Sequence, residues 1–417
     1  MSINRIFRIA VLTSAVGLLF LSVQQDGSHV GDNLRKSLKS NQYVAHEWGT
    51  FTSLQGSDGV NRPGLHHGDE TLPSFVHCPL GFGYSRCLSL IEPSENSLLS
   101  ATQRMETPVI YFYGNSPQLV DVTVDFPEGL ISEWYPDATT FSPQPADVTQ
   151  LKNGKMTWRT NITTEEVPLL EVSPTDIWQA QRQVDSNQVR VGEETDRFIF
   201  YRGIGRFSTP FATASREDGT VILTNNGLEN IPAIILLDYN GEKGAFRLLD
   251  SLPAGESLEL DSDDLPNAAK GRDSQHFIDA VSKALESRLT ASGLFPLEAK
   301  AMVNTWKRSY FTTPGFRALY ILPRQWTNAL VPLQMNPVPE SLERVFVGRV
   351  EIFRVAEEQA LLKDIKAAIA ANTDAWSFDQ AKLNRFGEPK LWRLRSLADS
   401  DVERAFIDSL IEATFRP

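Results

Sequence analysis

The sequence predicts an α+β protein: a β-rich, sandwich-like middle followed by a mixed, helix-rich C-terminal third. Two changes of texture carry that reading. From Glu106 onward, β-branched and aromatic runs alternate with turns and leave few helical periods between them, the pattern of antiparallel sheets packed face to face. Near Asp273 the apolar residues switch to helical spacing, and helices dominate from there to the end.

Taken in order, the chain opens with Arg5 and Arg8 ahead of an uncharged apolar run over residues 9–23. A basic start before a run shorter than the ~20 apolar residues of a spanning helix is the pattern of a secretory signal. Residues 1–25 are therefore read as a signal peptide or N-terminal anchor, and 26–42 as a polar linker. The expected location is the periplasm or the medium, with membrane contact only through an uncleaved leader. Cys78 and Cys87 are the two cysteines, set around Pro79, Gly81 and Gly83. In an oxidising compartment they suit a small-loop disulfide, with two free thiols or a metal role as the alternatives. With 417 residues the chain can bury a large core, and its net charge of -12 disfavours nucleic acid and anionic membrane surfaces.

Residues 43–105 read as an irregular segment apart from one strand at 43–54. Within the β-rich region, 106–272, strands are predicted at 108–113, 120–126, 130–135, 155–162, 197–201, 220–224, 231–238 and 245–249. A short helix is allowed at 175–183. In the C-terminal region, 273–417, helices are predicted at 275–292, 296–310, 356–371 and 399–415, with strands at 316–322 and 344–352.

Candidate chemistry begins at His46-Glu47-Trp48, a base, an acid and an indole in the first folded segment. His46, His66, His67 and His77 fall in one window beside Glu47, Asp69 and Glu70. Imidazole with carboxylate is the usual set for acid–base work or a divalent metal, yet the spacing matches no ligand motif. Neighbours on a strand point to opposite faces, so His46 and Glu47 would not both reach one ion. No cofactor is assigned; a divalent metal is the one these residues would admit. Glu106 stands with Arg104 at the entry to the strongest strand. Arg202 and Arg206 flank a glycine-rich turn suited to an anion. Glu298, Trp306, Arg308 and Tyr310 share a helix, followed by Arg317, Tyr320 and Arg324. No G-x-S-x-G or P-loop is present.

Several segments together resemble a family of exported bacterial proteins of unknown function. They are His46 to Thr52, Met105 to Tyr113, Glu133 to Pro136, Phe200 to Gly203, Leu322 to Arg324 and Val347 to Arg349. The resemblance spans His46 to about Ile352 and implies export but no activity, cofactor or catalytic residue. His66-His67 and the tail after Ala356 lie outside it.

The expectation is an exported envelope or periplasmic protein that binds a polar or anionic small molecule or an envelope component. His46 and Glu47 would handle protons or a metal, while Trp48, Glu106, Arg202 and Arg324 would hold the ligand. A metal-assisted or acid–base hydrolase using His46 and Glu47 is one alternative. A structural or partner-binding protein without catalysis is the other.

Overall fold

A computed structural model describes residues 30–65, 72–78, 100–379 and 382–415. The described residues form α1 (Val30–Ser37), β1 (Tyr43–Gln55), β2 (Gln103–Gly114), β3 (Gln118–Phe126), β4 (Gly129–Tyr135), β5 (Thr140–Ser142) and β6 (Gly154–Thr163). Next come α2 (Ile177–Gln181), β7 (Gln188–Val191), β8 (Glu194–Asp196), β9 (Ile199–Gly205), β10 (Phe211–Ser215), β11 (Val221–Asn225), β12 (Ile234–Tyr239), β13 (Lys243–Leu249), β14 (Ser257–Leu260) and β15 (Arg272–Asp273). The chain ends with α3 (Ser274–Ala291), α4 (Pro296–Phe311), β16 (Gly315–Ile321), α5 (Arg324–Leu330), β17 (Leu333–Asn336), β18 (Ser341–Ile352), α6 (Val355–Ala370), α7 (Gly387–Leu397) and α8 (Asp401–Phe415). The protein is α+β.

One mixed sheet organises it, in the order β15-β13-β12-β16-β18-β1-β2-β9-β4. Its strands come from all three regions that the sequence separates, and they include those predicted at 43–54, 316–322 and 344–352. The strand expected at 43–54 is β1, which is buried throughout and lies near the middle of this sheet. The stretch read as a linker carries α1, whose Gly31 N–H donates to Asp185 at 3.0 Å. The expected leader, His66-His67-Gly68-Asp69-Glu70 and Cys87 lie outside the described residues. Cys78 is within them and is not a free thiol.

Alternation along β1 divides the molecule into layers. Ala45 and Phe51 join a core built with Val120, Val122 and Val124 of β3, Trp158 of β6 and Phe211 of β10, so two smaller sheets cover that face. Val44 and Trp48 join a second core with Phe277 and Leu285 of α3, Met302 and Trp306 of α4, and Trp178 of α2. Helices cover that face. A third core, formed by Leu361, Ile365, Leu391, Leu394, Ile407 and Leu410, packs α6–α8 onto Leu54 and Phe353 at the end of the sheet.

Pairing explains why β1 is buried throughout. It lies parallel to β18 on one side and antiparallel to β2 on the other. The β2 pairing slips between Trp48 and Thr50, where β2 carries an extra residue and Thr107 takes a φ of 46°. That bulge reverses the alternation of the first residues of β2. Arg104 and Glu106 thereby turn toward the helix-covered face while Met105 enters the sheet-side core.

Candidate functional site

The six nominated residues do not converge on one pocket; they divide among five environments. His46 faces the helices. Its Nδ1 lies 2.8 Å from Glu298 Oε2, and Tyr113 Oη donates to Glu298 Oε1 at 2.7 Å. Glu298 sits in the first turn of α4 and also accepts the Phe295 N–H at 2.7 Å. An ionised carboxylate only accepts, so Nδ1 carries the His46 proton and Nε2 is the basic nitrogen. Burial, reinforced by Glu298, holds the Tyr113 hydroxyl well above the usual phenol range.

Glu47, one residue on, points to the opposite face. It accepts from Tyr201 Oη at 2.5 Å and from Arg344 Nε at 2.6 Å, and Arg344 is its register neighbour on β18. Both side chains are almost fully enclosed, at 0% and 2% exposure. His46 and Glu47 therefore belong to separate buried pairs with the sheet between them. Trp48 is fully buried, its ring 6.5 Å from that of Tyr111, so it is core and presents no stacking surface.

Glu106 and Arg202 belong to the fourth and largest environment, an ionic end of the helix-covered face beyond the C-terminus of α4. Glu106 accepts from Thr52 Oγ1 at 2.6 Å and from Arg385 Nη2 at 2.8 Å, with Arg104 Nε at 3.4 Å. Arg385 and Arg349 both reach Ser309 Oγ, at 3.5 and 2.6 Å. Arg349 and Arg317 meet Glu351 at 2.7 and 2.6 Å. Arg317 then caps α4 by donating to the carbonyls of Tyr310 and Thr313 at 2.5 and 2.7 Å, where the helix dipole is negative. Arg202 pairs in register with Glu133 across β4 and β9.

The electrostatics of this end fix its charges. Burial alone would raise the Glu106 carboxyl, but Arg385 and Arg104 outweigh it and bring it to about 2. Burial lowers Arg104 to about 10, and Glu133 opposes that fall. Glu351 is held below the usual carboxylate range by Arg317 and Arg349 in spite of its burial. Carboxylates held this low are poor bases near neutrality, so the cluster is suited to ion pairing and to holding charge.

Arg324, the sixth residue, lies away from all of these. It opens α5, about half exposed, donates to Glu343 at 2.7 Å and also reaches the Leu342 carbonyl. Among the described residues no group of three or more His, Cys, Asp or Glu side chains is placed to hold a metal ion. No helix among them is long and apolar enough to cross a membrane.

Sequence reasoning singled out Glu298 but not its pairing with His46, and it missed Arg344 as the partner of Glu47 and Arg385, Arg349 and Glu351 as the partners at the ionic end. A usable signal existed in the buried part of β18, where Arg344, Arg349 and Glu351 interrupt a largely apolar run. Charges inside such a strand need buried partners.

What fold and site define together is a three-layer α+β protein with buried, mutually paired charges. No family model matches the chain, and no curated protein matches it. Among solved structures, the Fcho1 Mu homology domain of Danio rerio with bound Eps15 peptide aligns over 75% of this chain and 96% of its own, at 4% identity and a TM-score of 0.26. At that score the likeness carries no argument about fold or ligand.

Proposed function

We propose that this chain is an exported envelope or periplasmic protein that binds a polar ligand or partner and runs no catalysis on His46 and Glu47 acting together. One observation carries the reading: these two residues leave opposite faces of β1, and each is closed off by its own buried partner, Glu298 for one and Arg344 with Tyr201 for the other. An acid and a base divided by a sheet have no common substrate atom. Export rests on the basic, apolar leader and on the resemblance to exported proteins.

The test is the pair His46→Ala and Glu47→Gln. His46→Ala strands a buried polar partner, which costs about 1–3 kcal/mol, and Glu47→Gln breaks a buried ion pair with Arg344, which costs about 3–5 kcal/mol. Several degrees of lost Tm, with any binding retained by the folded fraction, is the expected outcome. Lost binding at an unchanged Tm would overturn it.

A second reading, an acid–base hydrolase, is favoured by the His46–Glu298 geometry alone. The carboxylate fixes the tautomer and leaves Nε2 basic, as in hydrolytic dyads. It requires hydrolytic activity that disappears in Glu298→Gln while the fold persists.

A further inference from the structure

A cleft of about 480 Å³ opens between α1 and the ends of β2, β6 and β7, and none of the nominated residues lines it. Its volume falls in the range of small-ligand sites. Asp32 and Arg35 enter it from α1, and Asn115, Glu166, Asp185 and Arg197 from the body. No lining residue is aromatic, and Val184 is the one with a branched aliphatic side chain. Rings that need a stacking platform, such as nucleobases, are therefore poor ligands here.

The walls are pre-set. The Asn187 amide ties two strand ends together, accepting from Gly114 N–H at 2.7 Å and donating to the Thr163 carbonyl at 2.8 Å. Gln188 bonds both backbone groups of Val167, each at 2.9 Å. Arg197 is oriented by donating Nη1 to the Ser186 carbonyl at 2.9 Å, which leaves Nη2 on Glu166 at 2.8 Å. The α1 wall is clamped by Asp185, whose carboxyl atoms lie 2.6–2.7 Å from where a Cβ on Gly31 would stand. No larger residue fits at position 31 while that clamp is closed.

The two ion pairs in the cleft are open to water at their acidic ends. Glu166 is 68% exposed and Asp32, beside Arg35, is 48% exposed. Such pairs contribute little and exchange readily. A ligand carboxylate can displace Glu166 from Arg197, and a ligand ammonium can then take the freed acid. We propose that this cleft binds a small zwitterionic ligand of the amino-acid or short-peptide class, with α1 as the wall that completes it. The proposal rests on the binding-protein reading above.

The experiment is an NMR titration of the exported form with trialanine, following the Nε–H signals of Arg35 and Arg197. Trialanine capped by acetyl and amide groups, which lacks both end charges, is the control. Saturable shifts at both arginines are expected, with the capped peptide and the Arg197→Gln variant each weaker by about tenfold or more. Equal affinity for the capped peptide, or no saturable shift at millimolar peptide, would overturn the ligand class. Such a failure leaves the His46→Ala and Glu47→Gln outcomes untouched, so the two readings fail separately. Gly31→Val tests the wall. It should speed hydrogen exchange in α1 and weaken trialanine; faster exchange with full affinity overturns the role of α1.

Discussion

At the level of single residues, Glu106 gives the sharpest readout of the ionic end. Glu106→Gln leaves Arg385 and Arg104 without their carboxylate, and breaking a buried pair in this way costs about 3–5 kcal/mol. Urea unfolding at neutral pH should show that loss. Acid gives the same information in the wild type. The folded carboxyl sits near 2 against an ordinary 4.5, so its contribution is complete above 4.5 and disappears as pH falls from there toward 2. Stability should decline through that window, and Glu106→Gln should flatten part of the slope. A wild-type stability that is level from pH 5 to pH 2 would contradict the network. Glu106 was legible in the sequence as a candidate; its surroundings were not. Its direction depends on the bulge at Thr107, and nothing in Met105-Glu106-Thr107-Pro108 announces that one extra residue there turns Glu106 from one face to the other. His46 and Glu47 were the reverse case, since period-two alternation alone already separates them.

Strands and helices with strong periodicity were read correctly from the sequence because burial and pairing act on the same pattern. β3 alternates at nearly every position and buries every second residue. The helices of the C-terminal third, α3, α4, α6 and α8, were legible for the same reason. α7 was not, since its first turn holds Gly387 and Pro389, and β10, β14 and β17 are too short to show a period. Sequence also gave no hint that the Val347-Gly348-Arg349 segment needs its glycine. A Cβ there would meet the ring of Tyr320 at 2.1 Å, because the ring lies across Gly348 from the neighbouring strand β16. Gly348→Ala should therefore destabilise by about 1–3 kcal/mol through overpacking. Pairing it with Tyr320→Leu should recover part of that loss, and thermal unfolding of the two variants measures it. No recovery would mean that the ring is not the obstacle.

For the whole molecule, the question is whether α6–α8 form a separate unit. They have their own apolar core, yet they are joined to the sheet by charge. Arg393 binds Glu358 at 2.7 Å and Asp58 at 2.8 Å, Ser57 Oγ donates to Glu358 at 2.8 Å, and Arg385 reaches Glu106. The sheet-end residues Leu54 and Phe353 are buried in the helical core itself. Unfolding should therefore be a single transition for sheet and helices. Arg393→Met should move its midpoint by the roughly 3 kcal/mol of a broken buried pair without changing its slope. Two transitions, with the variant altering one of them, would show that the helices unfold independently.

The pairing of β1 with β18 has a consequence for how the molecule is made. Val44 meets Ser341 and Gln55 meets Ile352, so the first of the described strands waits for the last of them. A polypeptide delivered amino end first, from a ribosome or through a translocation pore, presents β1 while its parallel neighbour has not yet emerged. Throughout that interval one edge of an apolar strand is bare, and Glu47 has no Arg344 to neutralise it. Completion so late in the chain makes assembly slow compared with the local helices. The bare edge of β1 is then the place where a holding chaperone, or another copy of the same strand, competes with β18.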